Sequence, residues 1–230
     1  MRHILSVADL SRDELLRILD RAAEWKSGHA VSALSKAPLA VFLLERATFR
    51  TRLAYEAALM KLGGKLVTFE RQLEARESIE DVARVVSKMA DVVLVRVGDH
   101  GKLEALAEAA ALPIVNALTA REHPVEVLAD ALTIREAFGD LAERRFAFIG
   151  DGGNVCQSLL LLTPKLGMDT VVATPDAYAP DAEILVLARK LAGEMNVSFD
   201  VAGTANEAAE GASVIYTDAW PNTDDAASVF

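Results

Sequence analysis

The chain has 230 residues, of which 52% are hydrophobic and 25% charged, and its formal net charge is −10. This length and apolar content predict one large or two small folded domains and exclude extensive disorder, while the acidic balance argues against a general nucleic-acid or anionic-membrane binder. No apolar run reaches the roughly 18 residues that span a bilayer, and the N-terminus lacks the apolar stretch of a signal peptide, so we expect a soluble cytoplasmic protein.

Helical and strand patterns alternate along the whole chain. Ser11 is a candidate N-cap of the first helix, and the wholly apolar run 39–44 predicts a strand buried on both faces. Further strands are predicted at 65–69, 91–97, 113–117, 145–150, 170–174, 197–202 and 213–217. Helices are predicted at 50–62, 78–89, 101–111, 123–138, 155–166, 181–194 and 205–210. This βαβ alternation is typical of parallel sheets covered by helices, so we predict an α/β fold with two doubly wound parallel-sheet domains joined by the 123–138 helix.

A cationic segment, Thr48-Phe49-Arg50-Thr51-Arg52, follows the first buried strand closely. Ligands collect at the carboxyl ends of strands in open α/β sheets. A helix that starts near Phe49 and is capped by Thr48 would direct free N–H groups and a positive dipole end to that place. Together with Arg50 and Thr51, these groups could hold a phosphate dianion. The alternative interpretation is a solvated helix start with surface arginines.

Further motifs follow this segment in a fixed order. They are Gln72 with Arg76-Glu77-Ser78-Ile79, Arg96 at a strand end, His123-Pro124-Val125-Glu126, Gly150-Asp151-Gly152-Gly153-Asn154, and Thr217-Asp218-Ala219-Trp220. In this order they resemble the motifs of the aspartate/ornithine carbamoyltransferase family, and the last two resemble its ornithine branch. The resemblance covers nearly the whole chain and about the first three quarters of a family member.

The resemblance implies a transferase that moves the carbamoyl group of carbamoyl phosphate to ornithine or a related basic amine, giving citrulline and phosphate in arginine metabolism. The carbamoyl-phosphate site would comprise Thr48, Phe49, Arg50, Thr51, Gln72, Arg96, His123 and Glu126. Of these, Thr51, Arg96 and His123 would converge on the carbonyl oxygen, where negative charge develops. Asn154 and Asp218 would hold the amino-acid acceptor, with Asp218 pairing with its ammonium group.

The resemblance also implies the organisation of the protein. Residues 1–130 would form the carbamoyl-phosphate-binding domain and residues 131–230 the acceptor-binding domain. No metal, cofactor or covalent intermediate is required, because most of the rate would come from positioning two substrates. Members of the family build their active sites between the subunits of a trimer, so the resemblance implies a homotrimer. In it, the loop of Gln72 and Arg76 would reach a neighbouring subunit's active site.

Several positions depart from the family pattern. Phe49 replaces a small residue, so its side chain must find room. Glu126 replaces a glutamine and puts a negative charge beside a dianion. Residues 221–224 stand where ornithine enzymes carry Ser-Met-Gly, which leaves the acceptor open, although we rank ornithine above aspartate because Asp218 and Asp224 would repel a second carboxylate. The family's closing segments would lie beyond Phe230, so the sequence predicts a C-terminally truncated chain.

Two other functions remain open at this point. A non-catalytic homologue that binds an anion or a partner is favoured by Glu126 and by the missing motifs. A nucleotide-binding oxidoreductase is suggested only by the glycine turn 150–154, which lacks the third glycine of a dinucleotide site.

Overall fold

The computed structural model describes residues 2–29, 36–74 and 76–219. Helices and strands alternate within these ranges. The helices are α1 (Arg12–Lys26), α2 (Arg50–Lys61), α3 (Ile79–Val86), α4 (His100–Ala109), α5 (Pro124–Phe138), α6 (Asn154–Lys165), α7 (Ala182–Met195) and α8 (Ala205–Ala209). The strands are β1 (Leu39–Leu44), β2 (Lys65–Glu70), β3 (Val92–Arg96), β4 (Ile114–Leu118), β5 (Arg145–Ile149), β6 (Asp169–Ala173), β7 (Phe199–Val201) and β8 (Val214–Tyr216).

The described residues fall into two compact units. The first comprises residues up to Asp9 together with Glu24–Val125, and the second comprises Leu10–Ala23 and the residues from Glu126 onward. Most of α1 therefore belongs to the second unit although it precedes β1 in the chain. An amphipathic helix pattern shows which face is buried but not against which element, so the sequence could not assign α1 to a unit.

The first unit is built on a parallel sheet with the strand order β2-β1-β3-β4. Side chains of a strand alternate between the two faces of its sheet. Val41, Leu43, Val93 and Val95 lie on one face and pack with residues of α3 and α4. Phe42, Leu44, Leu94 and Ala117 form a second cluster, against which Tyr55 of α2 packs. Because helices cover both faces at the centre of the sheet, β1 is apolar on both of its faces, which is why it reads as an unbroken apolar run.

The second unit contains a parallel sheet with the strand order β7-β6-β5-β8. Helix α6 is buried along almost its whole length and packs against α7. Its side chains are accordingly apolar on every side, from Val155 to Leu162 with few exceptions. Ala147, Val171, Ala173 and Ala208 form a small-residue cluster that lets α8 approach β5 and β6 closely.

The two doubly wound parallel sheets predicted from the sequence are confirmed. Ser11 also caps α1 as predicted: its hydroxyl accepts a hydrogen bond from the Glu14 backbone N–H (3.3 Å), and the Glu14 carboxylate accepts one from the Ser11 N–H (2.9 Å). The predicted helix 78–89 is too long, because α3 ends at Val86, where the hydroxyl of the following Ser87 donates to the Ala83 carbonyl. None of the described helices has the length and apolarity to cross a membrane.

Candidate active site

The carboxyl ends of β1 and β3 meet at the point where the strand order of the first sheet reverses. Leu44 and Arg96 are paired in register, and the Glu45 N–H donates to the Arg96 carbonyl (3.0 Å). The chain leaves β1 toward β2 on one side and returns to β3 on the other. Such a switch point opens a crevice outside the strand ends, where ligands bind in open α/β sheets. The cationic segment 48–52 begins at this crevice.

Helix α2 starts at this crevice without a side-chain cap. Its N-cap residue is Phe49, which makes no capping hydrogen bond, so the prediction that Thr48 caps the helix is wrong. Phe49 has helical backbone angles, and its carbonyl already accepts from the Leu53 N–H (3.0 Å), which places the helix start one residue beyond the reach of Thr48. The Phe49 ring is 80% exposed and so finds room in solvent. The first N–H groups of α2 have no partner within the helix and remain available to an anion.

Arg96, the last residue of β3, contacts the first turn of α2. Its Nη1 donates to Thr51 Oγ1 at 3.3 Å, so two of the three residues predicted to converge on the carbonyl oxygen lie together. Arg50, the residue before Thr51, is exposed and begins the helix. Arg52 lies on the same turn but forms an ion pair with Glu56 (2.8 Å), one turn further along α2.

His123 follows a tight turn after β4, the neighbour of β3. The Thr119 N–H donates to the Glu122 carbonyl (2.9 Å), and the Glu122 N–H donates to Thr119 Oγ1 (3.1 Å). His100 Nδ1 lies 2.9 Å from the same hydroxyl oxygen, and the Glu122 carboxylate accepts from the Val7 N–H (3.1 Å). These contacts fix the turn, and His123 itself is buried. The residues His100, Thr119 and Glu122 carried no signal in the sequence that would distinguish them from ordinary loop residues.

Gln72 and Arg76 lie in the loop after β2, whose carboxyl end is level with that of β1 because Glu70 pairs with Leu44. Both side chains are exposed, and neither makes a hydrogen bond within the part of the chain that the structure describes. The structure therefore places this loop at the same edge of the sheet as Arg50 and Arg96, but does not join it to them.

Lys102, which the sequence analysis did not single out, connects the loops after β1 and β2 at this edge of the sheet. Lys102 Nζ contacts Glu45 (3.3 Å) in the loop after β1 and Glu74 (3.1 Å) in the loop after β2. The hydrogen bonds to Glu74 and to Glu45 raise the pKa of Lys102. Beside this bridge lies an open groove of about 720 Å³, lined by residues of the segments 74–80 and 99–105. The three residues of the bridge are distant in sequence, so only the strand order brings them together.

The second sheet has its own switch point, between β5 and β8. Gly150 follows β5 with a φ of 149°, and a Cβ there would lie 3.0 Å from Thr217 Oγ1, which follows β8. Asn154 is the first residue of α6, and Asp218 follows Thr217. The two residues predicted to hold the acceptor thus come from the two strand ends that flank this switch point.

Two carboxylates lie near each other at this second switch point. Burial raises the pKa of Asp151, and the negative charge of Asp218 raises it further. Asp218 is exposed, and its carboxylate accepts from the Ala219 N–H (2.7 Å). A pair of neighbouring carboxylates attracts a cationic group. The sequence places Asp151 in the glycine turn but gives no sign that its carboxylate would lie near that of Asp218.

The glycine turn after β5 packs against another segment of the same chain. The Gly152 N–H donates to the Tyr178 carbonyl (2.8 Å), and a Cβ on Gly152 would lie 2.4 Å from the Pro180 nitrogen. The turn therefore requires glycine in order to accommodate the segment 178–180. This packing accounts for the motif without a nucleotide.

Glu126 and Trp220 are the last residues of two of the predicted motifs. Glu126 lies in the first turn of α5 and is exposed, and its charge helps to raise the pKa of Tyr216, where burial is the largest cause. Trp220 and the loop 221–224 lie outside the described residues.

Comparison with known proteins identifies the family. Residues 2–136 match the model described as "Aspartate/ornithine carbamoyltransferase, carbamoyl-P binding domain", and residues 142–228 match the one described as "Aspartate/ornithine carbamoyltransferase, Asp/Orn binding domain". The chain belongs to the aspartate/ornithine carbamoyltransferase family. The resemblance inferred from the sequence motifs is confirmed.

Members of this family named for ornithine are similar to the chain over most of its length. The ornithine carbamoyltransferase of Methanosphaera stadtmanae is 37% identical over 228 residues, which cover 98% of this chain and 75% of that protein. The one from Thermosynechococcus vestitus is 40% identical over 222 residues, which cover 95% of this chain and 71% of that protein. The solved structure of the Pyrococcus furiosus ornithine carbamoyltransferase matches with a TM-score of 0.92 at 34% identity, covering 99% of this chain and 75% of that one. The solved structure of the Gloeobacter violaceus ornithine carbamoyltransferase matches with a TM-score of 0.89 at 37% identity, covering 96% of this chain and 75% of that one.

Proposed function

We propose that this protein is an ornithine carbamoyltransferase, which transfers the carbamoyl group of carbamoyl phosphate to the side-chain amine of ornithine and releases citrulline and phosphate. The observation that carries the proposal is the meeting of Arg96 with Thr51 at the switch point of the first sheet, beside the uncapped start of α2. This arrangement provides amides for a phosphate and a guanidinium for a carbonyl oxygen in one crevice.

The first half of the chain would bind carbamoyl phosphate. The amides of Thr48, Phe49 and Arg50, together with the Arg50 guanidinium, would hold the phosphate, because a helix N-terminus and an arginine both favour an anion. Thr51, Arg96 and His123 would donate to the carbonyl oxygen. Gln72 and Glu126 would complete the contacts to the carbamoyl group.

The reaction follows from these roles. The neutral amine attacks the carbonyl carbon, and a tetrahedral intermediate forms with negative charge on its oxygen. Arg96 and His123 would stabilise that charge because their donors are in place before it develops. The carbon–oxygen bond to phosphate then breaks beside Arg50, and the proton that the nitrogen loses passes to the departing phosphate, which leaves a neutral ureido group on the product.

The second half would hold the acceptor. Asp218 would pair with the α-ammonium group of the amino acid, and Asn154 at the start of α6 would hydrogen-bond to its polar end. The neighbouring Asp151 adds to the negative potential there, so a second carboxylate on the acceptor would be repelled. This supports ornithine over aspartate as the acceptor. We further propose a cytoplasmic homotrimer in which Gln72 and Arg76 serve a neighbouring subunit.

The test compares two arginines of α2 that are two positions apart. Replacing Arg50 by alanine should weaken carbamoyl-phosphate binding in calorimetry by about 2 kcal/mol or more, the scale for removing one partner of a desolvated charge pair. Arg52→Ala is the matched control, because Arg52 is paired with Glu56, and it should bind as the unchanged protein does. Equal binding by the Arg50 variant would overturn the assignment of the site.

Turnover tests the reaction itself. The protein is supplied with carbamoyl phosphate and either ornithine or aspartate, and phosphate release and the carbamoylated product are followed. We expect citrulline and a higher kcat/KM for ornithine. A preference for aspartate would overturn the choice of acceptor, and binding without turnover of either would favour a non-catalytic homologue.

A further inference from the structure

Tyr55 lies directly below the candidate active site, on the buried face of α2. It follows Thr51 by one helical turn, so the two side chains lie on the same side of the helix. The Tyr55 ring meets the Phe42 ring edge-on, with 5.4 Å between the ring centroids. It packs in the cluster formed by Phe42, Leu44 and Leu94.

The hydroxyl of Tyr55 is buried and has no hydrogen-bond partner among the described residues. A buried polar group without a partner is unfavourable for folding, and phenylalanine would fill the same space without that cost. Burial raises the pKa of the Tyr55 hydroxyl, so the group stays neutral at the pH of the cell and can both donate and accept a hydrogen bond. The packing of the core therefore explains the ring of Tyr55 but not its oxygen.

Arg96 is the charged group beside this hydroxyl. Along β3, Leu94 and Arg96 project to the same face of the sheet because side chains alternate, and Leu94 packs in the cluster that contacts Tyr55. Arg96 Nη1 donates to Thr51, one turn before Tyr55 on α2. The charge of Arg96 acts on the Tyr55 hydroxyl and opposes the effect of burial on its pKa.

We propose that Tyr55 is a positioning residue for Arg96. The hydroxyl oxygen of Tyr55 would accept a hydrogen bond from the Arg96 guanidinium when carbamoyl phosphate is bound. The guanidinium would then be held from two adjacent turns of α2, by Thr51 and by Tyr55, with its remaining N–H groups directed to the carbonyl oxygen. Arginine donors have a fixed planar arrangement, so holding one edge orients the other. This inference rests on the proposed function and adds a residue to it.

The test uses Tyr55→Phe, which removes only the oxygen. We expect the free energy of unfolding to stay the same or to rise, because a buried unpaired hydroxyl is lost, while the Kd for carbamoyl phosphate in calorimetry rises about tenfold, the scale of a hydrogen bond to a charged group. Tyr216→Phe is the matched control. Its hydroxyl donates to Asp130 at 3.0 Å in the second unit, so this change should lower stability and leave the Kd unchanged.

A second measurement separates positioning from packing. In an Arg96→Lys background the fixed donor arrangement is absent, so Tyr55→Phe should raise the Kd less than twofold further. The inference is overturned if Tyr55→Phe binds carbamoyl phosphate as the unchanged protein does, or if its effect is the same in both backgrounds. If the unchanged protein does not bind carbamoyl phosphate at all, the proposed function fails and this inference fails with it.

Discussion

At the scale of single residues, the sequence predicts the types of group in the site but not their neighbours. Arg96 and Thr51 were predicted to act together, and they are hydrogen-bonded. Lys102 was not predicted, although it joins the loops after β1 and β2. Which residues meet depends on which strands are adjacent, and the order β2-β1-β3-β4 leaves no local signal in the sequence.

The pair of carboxylates at the second switch point leads to a prediction on pH. The pKa of Asp151 is raised by burial and by Asp218, so the protonated form of Asp151 favours folding. Its stabilising contribution is present below about pH 4, the ordinary value for an aspartate, and is lost as the pH rises through the raised value. In Asp218→Asn the pKa of Asp151 should fall, and the loss of stability between pH 4 and pH 7 should be smaller.

Denaturant unfolding at the two pH values measures this change. The same variant should raise the KM for ornithine about tenfold or more, because a charged hydrogen-bond partner of the ammonium group is removed. Asp176→Asn, a change of an exposed aspartate after β6, serves as the control. An unchanged KM together with an unchanged pH profile would contradict the role of Asp218.

At the scale of elements, helices α2 and α3 begin in opposite ways. Ser78 caps α3, since its hydroxyl accepts from the Asp81 N–H at 3.1 Å. Helix α2 has no such cap. The sequence pattern predicted both helices and assigned Thr48 to α2 as a cap by residue type alone, but backbone geometry decides whether a hydroxyl reaches the free N–H groups.

This difference predicts that two similar substitutions change the free energy of unfolding by different amounts. Ser78→Ala should lower the free energy of unfolding by about 1 kcal/mol, the usual cost of losing an N-cap. Thr48→Ala should change stability by less than about 0.5 kcal/mol, as is usual at a position without such a role, and should leave carbamoyl-phosphate binding nearly unchanged, because alanine keeps the backbone amide. Urea unfolding and calorimetry on both variants check this. A large loss of stability in the Thr48 variant would show that Thr48 acts as a cap after all.

At the scale of the whole molecule, the alternation of helices and strands was sufficient to predict two parallel sheets, because the central strands β1 and β3 of the first sheet are apolar on both faces. The division into units was harder to predict, since α1 belongs mostly to the second unit. Assembly is harder still, because the exposed side chains of Gln72 and Arg76 make no hydrogen bond within the described residues that would reveal their partner.

The proposed trimer predicts complementation between two inactive variants. Arg50→Ala and Gln72→Ala proteins, dissociated and reassembled together, should form hybrid trimers in which some sites receive an intact Arg50 from one chain and an intact Gln72 from its neighbour. Citrulline formation should then exceed that of either variant alone. A doubly substituted chain mixed with itself is the control. A protein that sediments as a monomer while fully active would contradict the proposal.

The pairing of Leu44 with Arg96 also has a consequence for the order in which the molecule becomes functional. Strand β1, α2 and β2 form one continuous βαβ unit, whereas β3 joins β1 from the opposite side, and only its arrival brings Arg96 to α2. During folding, the start of α2, which would bind the phosphate, can therefore form before Arg96, which would bind the carbonyl oxygen, is in place. Contacts between distant parts of a chain form late, so affinity for carbamoyl phosphate should arise near the end of folding. Carbamoyl phosphate should accordingly slow the unfolding of the protein while leaving its folding rate nearly unchanged.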